Sequence, residues 1–88
     1  MNNFNIDGIV VSIGERKSAK APIPCMIQIE TKKGEYAHIP LTLFNNLKVG
    51  DGVCISGMID SFEYKGRFYP CLQPKSVTVF ARASIDEQ

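Results

Sequence analysis

The chain has 88 residues, 44% of them hydrophobic, and ten Lys and Arg against nine Asp and Glu leave a net charge of +1. That length makes one domain whose core only just outweighs chain entropy, and the near-neutral balance excludes a histone-like mode in which bulk charge does the binding. No apolar run approaches the ~20 residues of a membrane-spanning helix, and Met1-Asn2-Asn3-Phe4-Asn5 has neither the basic nor the apolar region of a secretory signal, so a cytoplasmic protein is expected.

In chain order, Phe4 to Ile13 alternates apolar and polar residues and then becomes continuously apolar at Ile9-Val10-Val11, which predicts a first strand bent at Gly8. Gly14 to Pro24 is small, charged and proline-punctuated, a loop carrying Arg16, Lys17 and Lys20. Cys25 to Thr31 reads as the second strand, with Cys25, Ile27 and Ile29 on one side and Met26, Gln28 and Glu30 on the other. Lys32-Lys33-Gly34-Glu35 is a tight turn into a third strand, Tyr36 to Ile39, which Pro40 is expected to end because proline cannot donate to a ladder.

Leu41, Leu43, Phe44 and Leu47 are spaced as one or two helical turns plugging a barrel end, with a bulged strand continuation as the alternative. Val49-Gly50-Asp51-Gly52 is a turn that launches the fourth strand, with Val53, Ile55, Gly57 and Ile59 on one face and Cys54, Ser56, Met58 and Asp60 on the other. Phe62 to Tyr69 is a charged, aromatic hairpin tip turned at Gly66, and the fifth strand returns through Leu72 to Val77 and Val79.

Three strands, a connector at 40–48 and two more strands predict an all-β fold: a five-stranded OB-fold barrel with a short helix or plug between strands three and four. An SH3-like barrel fits less well, because the longest hairpin comes late. The domain is expected to cover 1–82, with a short polar tail at 83–88. An exposed edge of the first strand is the expected seam for a homo-oligomer.

The run Leu47-Lys48-Val49-Gly50-Asp51-Gly52-Val53-Cys54-Ile55-Ser56-Gly57-Met58-Ile59, continued by Tyr64-Lys65-Gly66-Arg67-Phe68-Tyr69, Leu72, Pro74 and Val77, resembles the bacterial single-stranded DNA-binding protein family in its small OB-fold members. The opening Gly8-Ile9-Val10 followed by a basic loop is similar too. The resemblance is strongest over 47–79 and implies an OB fold that binds single-stranded DNA in replication or recombination. The chain has no tryptophan, the residue on which that family commonly stacks bases, and only a stub in place of its long acidic tail.

The residues themselves carry the same chemistry. Basic residues gather in the turns, with Arg16, Lys17 and Lys20 in the first, Lys32 and Lys33 in the second and Lys65 and Arg67 in the last, where they would hold phosphates on either side of one groove. Phe62 and Tyr64 share the parity of Met58 and Asp60, opposite Val53 and Ile55, and with Tyr69 they are read as base-stacking rings. Phe68 shares parity with Leu72 and is read as core, as are Phe4, Phe44 and Phe80, and Tyr36 stays open between stacking and packing. These cations with Tyr36, Phe62, Tyr64 and Tyr69 are the candidate DNA-binding residues.

His38 has no serine or cysteine partner at a readable spacing, and Cys25, Cys54 and Cys71 lack the paired spacing of metal ligands. No phosphate loop or dinucleotide fingerprint is present, so neither an enzyme, a metal nor a cofactor is expected. The leading expectation is a single-stranded DNA-binding module with little sequence preference, working with replication or recombination proteins. The alternative is an OB-fold protein-interaction or assembly subunit with weak or no nucleic-acid binding. RNA binding of cold-shock type is weaker, since 25–31 contains no ring.

Overall fold

The alternation in the sequence becomes strands throughout. In a computed structural model describing residues 2–83, β1 (Asn2–Ile13), β2 (Ile23–Lys32), β3 (Glu35–Leu43), β4 (Gly52–Tyr64) and β5 (Arg67–Ala81) form one antiparallel sheet in the order β3-β2-β1-β4-β5. Among the described residues there is no helix, hence none long and apolar enough to cross a membrane. The polar tail expected at 83–88 lies, beyond Ala83, outside the described residues.

β1 is the centre of the sheet and serves two neighbours. Its first part pairs with β4 from Asn2↔Ile59 to Ile9↔Gly52, and its last part pairs with β2 from Ile9↔Gln28 to Ile13↔Cys25. A bulge between Val10 and Ser12 accompanies the handover, which is why the sequence there stops alternating: Val10 is buried and Ile13, three residues on, again packs inward. Gly8 sits where the strand turns over β2, and a Cβ there would lie 2.6 Å from the Gln28 carbonyl oxygen.

The core is Val10, Cys25, Ile27, Leu41, Leu43, Val53 and Ile55, with Phe4, Ile6, Leu72, Val77 and Val79 half-buried around it. Leu41 and Leu43 reach it from a strand, not from a helical plug. The predicted helix at 41–47 is absent because β3 continues to Leu43, pairing Leu41 with Cys25, Thr42 with Pro24 and Leu43 with Ile23, and the period-2 alternation of Leu41 and Leu43 already buries both.

Pro40 does not end the third strand. It pairs with Met26 in mid-strand, and β3 is an edge of the sheet, where proline is tolerated. β1 is not an outer strand, but its two ladders lie on different parts, residues 2–8 pairing with β4 alone and 10–13 with β2 alone, so each part keeps one side without a partner strand. The outer strands are β3 and β5, which approach each other without pairing, so the sheet is curled but not closed. Those edges contain Pro40, Pro70 and Pro74, none of which can donate to a closing ladder.

The connector between β3 and β4 is fixed by Asp51, which is 0% exposed. Its carboxylate accepts hydrogen bonds from the Ala83 N–H at 2.7 Å and the Lys48 N–H at 2.9 Å, and from the Arg82 guanidinium at 3.3 Å. Its backbone completes the ladder at the bulge, because Val10 N–H donates to the Asp51 carbonyl and Gly50 N–H donates to the Val10 carbonyl. The Ala83 and Lys48 N–H groups hold the Asp51 carboxyl below its ordinary value, against the desolvation that opposes them, with the charges of Arg82 and Lys48 adding to the effect. The Arg82 side chain is 64% exposed, so water screens its share.

Asp51→Asn lowers the melting temperature at neutral pH far more than Arg82→Ala does. A folded pKa below the unfolded value of about 3.9 means that the contribution of Asp51 is complete above that value and lost as pH falls through the folded one; melting curves across this acid range lose that part of their slope in Asp51→Asn. Gly57→Ala forces a Cβ onto the Gln73 carbonyl at the Ser56/Gly57 bulge and costs about 2–3 kcal/mol in urea unfolding.

Candidate nucleic-acid interface

β4 and β5 outrun the rest of the sheet. The described β1 ladder reaches only Ile59, whereas β4 and β5 pair on to Tyr64↔Arg67. The overhang is a two-stranded arm, and every residue from Ile59 to Pro70 is exposed. The radius of gyration is 14.3 Å, against roughly 12 Å for a compact chain of this length.

Lys65 (φ 52°) and Gly66 (φ 78°) form the arm's two-residue turn. Positive φ at both central positions makes it type I′, whose twist matches that of a hairpin. Glycine takes this conformation freely, but lysine is held there at a cost of about 1–2 kcal/mol, a position that asparagine fills better.

Side-chain alternation sorts the arm into two faces. Phe62 stands directly opposite Tyr69 and Tyr64 opposite Arg67, all on one face, while Glu63 and Phe68 share the other. The Phe62 and Tyr69 rings stack with centroids 5.6 Å apart and planes at 28°. The pair therefore packs against itself, and a base would stack on its outer side. The Lys65 ammonium lies 5.4 Å from the centroid of the Tyr64 ring, within cation–π reach. Phe62, Tyr64 and Tyr69 are 51%, 57% and 40% exposed.

The remaining candidates divide. Antiparallel pairing sets the β2–β3 turn, with Lys32 and Lys33, at the same end of the strands as the arm, and the β1–β2 loop, with Arg16, Lys17 and Lys20, at the opposite end. The expectation of basic turns around one groove therefore meets a division: two of the three turns lie at one end of the strands and the third at the other. Tyr36 is exposed on the outer face of β3 opposite Glu30, in a cleft that Asp7 also lines. Carboxylates on both sides make that position unfavourable for phosphate.

Three rings are not where hydrophobicity alone put them. Phe44, Phe68 and Phe80, read as core, are 71%, 71% and 62% exposed. Phe68 shares its face with Leu72, but no core lies beneath the arm. Phe44 follows inward Leu43, and Phe80 follows inward Val79, so alternation sends both outward. The Phe80 ring lies against Gly52, where a Cβ would come within 2.7 Å of it.

His38 is exposed with Nε2 3.4 Å from Gln28 Oε1. The Cys54 thiol is pushed up by the neighbouring Asp7 carboxylate and by burial, and the Cys25 thiol by burial, so neither is poised as a thiolate. Among the described residues no group of three or more His, Cys, Asp or Glu could hold a metal ion. Comparison with known proteins adds no relative: no family model matches the chain, and no curated protein or solved structure matches it.

Lys65→Asn relieves the turn but removes the exposed cation–π contact with Tyr64, and the relief should still raise unfolding stability, by up to about 1 kcal/mol. Urea denaturation of the two proteins measures it.

Proposed function

We propose that this protein binds single-stranded DNA with little sequence preference, using the β4–β5 arm as its principal contact on an OB-type scaffold. The observation that carries this reading is the arm itself: Phe62, Tyr64 and Tyr69 exposed on one face, with Arg67 on that face and Lys65 at its tip, and nothing of the sheet packed over them. Two-stranded hairpins are marginal in water by themselves, so an overhang with exposed rings is costly unless something covers them. Bases do so well, because each has a π-face and a phosphate beside it.

Lys65 supports the same reading from another side. A lysine kept in a backbone conformation that suits asparagine or glycine marks a position where charge outweighs local preference. The strand order β3-β2-β1-β4-β5, with β1 shared and β3 approaching β5, supports the OB assignment, as that fold is a partly open five-stranded barrel. The run from Leu47 to Ile59 and its likeness to the single-stranded DNA-binding family point the same way. Lys32 and Lys33 extend the cationic end, while Arg16, Lys17 and Lys20 stand apart from this contact.

Fluorescence anisotropy with labelled oligo-dT, competed by duplex of equal length, tests the proposal. Binding should favour the single strand and weaken with salt. Tyr64→Ala and Phe62→Ala should each cost about 1–3 kcal/mol. Lys65→Asn should weaken binding and flatten the salt dependence while stabilising the fold, separating function from folding. Equal, feeble binding to single strand and duplex, unchanged by these substitutions, overturns the proposal and favours a protein-interaction subunit.

A further inference from the structure

On the outer face of the sheet, away from the arm, Asp7 and Ile9 of β1, Gln28 and Glu30 of β2, Tyr36 of β3 and Phe80 of β5 line an open cavity of about 320 Å³. Its apolar surface is exposed, with Ile9 at 49%, Tyr36 at 61% and Phe80 at 62%. Its charge is wholly negative: no Lys, Arg or His lines it. Glu30 uses one oxygen to accept the Gly34 N–H at 2.9 Å, and among the described residues neither Glu30 nor Asp7 has an ion-pair partner.

The β1–β2 loop is its electrostatic complement. Glu15, Arg16, Lys17 and Lys20 sum to +2 (three cations less one anion), against −2 for Asp7 and Glu30. The loop is braced, with Gly14 N–H donating to the Pro24 carbonyl, Ala21 N–H to the Ser18 carbonyl and the Arg16 guanidinium to the Ala19 carbonyl. In its own molecule the loop lies elsewhere, with Glu15, Lys17, Ala21 and Pro22 grouped around Pro24 and Thr42 rather than over the cavity.

We propose that the cavity receives the β1–β2 loop of a second copy of the chain. Arg16 and Lys17 of one copy meet Asp7 and Glu30 of the next, and their aliphatic stems cover Ile9, Tyr36 and Phe80. The occupant is a second copy because the loop matches the cavity in charge and takes no part in the arm contact. The two surfaces differ, so the contact either repeats in series or is made twice, reciprocally, in a two-fold pair. Each copy keeps its arm free. The association needs no nucleic acid, so it stands or falls separately from the proposed function.

Sedimentation velocity without nucleic acid, over a concentration series at low and high salt, tests the contact. The weight-average mass should rise above the 9.8 kDa of one chain with concentration and fall back with salt. Asp7→Lys with Glu30→Lys, or Arg16→Glu with Lys17→Glu, should each weaken self-association by about tenfold or more. Mixing the two charge-reversed proteins should restore it, since the reversed loop of one fits the reversed cavity of the other; a misfolded variant could not give this rescue. A monomer at all concentrations, association indifferent to either reversal, or no rescue on mixing overturns the proposal, as does a cavity that takes a lysine-rich peptide while the chain stays monomeric.

Discussion

A buried carboxylate with no water around it is stable only if every lone pair finds a donor, and Asp51 shows what a small sheet gains by supplying them. Its side chain ties the end of the β3–β4 connector, at Lys48, to the chain just past β5, at Arg82 and Ala83. Its backbone fills the gap that the β1 bulge opens beside Val10. Three separate pieces of chain are thereby fixed by one residue. Within the connector the Lys48 N–H goes to the Asp51 carboxylate, the Asp51 N–H to the Lys48 carbonyl and the Gly50 N–H to the Val10 carbonyl, so its end is held without a helix.

With that corner held, the shape of the rest is a matter of strand lengths. β1 has 12 residues and divides them between two neighbours, while β4 has 13 and β5 has 15 and both run the same way past its start. The surplus has nowhere to go but outward, as a two-stranded arm. On the arm neither face has a layer packed on it, so Phe62, Tyr64 and Tyr69 on one face and Phe68 on the other are all exposed, which is how a chain with so small a core presents a cluster of rings. The Phe62–Tyr69 stack then serves twice, holding the arm together by a cross-strand contact of about 0.5–1.5 kcal/mol and presenting a flat aromatic surface.

The strands and their facing were legible in the sequence wherever alternation was read strictly. Val53 and Ile55 point inward as parity requires, whereas on the arm both faces are exposed, so exposure there does not sort Phe62, Tyr64 and Tyr69 from Phe68. Alternation failed where it was set aside for hydrophobicity, as at Phe44 and Phe80, which follow an inward Leu43 and Val79. What could not be read locally was sheet order. Whether Pro40 breaks a strand, whether β1 has a free edge and whether Phe68 has a core beneath it all depend on which strands are neighbours and how far each extends. The Gly50-Asp51 turn was visible as a turn, but its role as a latch needs Ala83, more than thirty residues away, and nothing in the spacing announces that.

Charge follows the same logic of placement over amount. A net charge of +1 says little about a surface on which cations occupy the turns and carboxylates the middle of the outer face. Lys65 and Arg67 stand on the arm with Lys32 and Lys33 at its end of the sheet, whereas Asp7 and Glu30 flank an apolar cleft. At physiological salt, charges separated by more than ~8 Å hardly feel one another, so local placement outweighs the sum, and Lys32 and Lys33, two and three residues from Glu30, are the cations nearest that carboxylate in the chain. The carboxylates of the cleft repel a phosphate, and the cations of the arm repel a cation. One small sheet can in this way keep two surfaces of opposite sign, each selective by sign before any shape is matched.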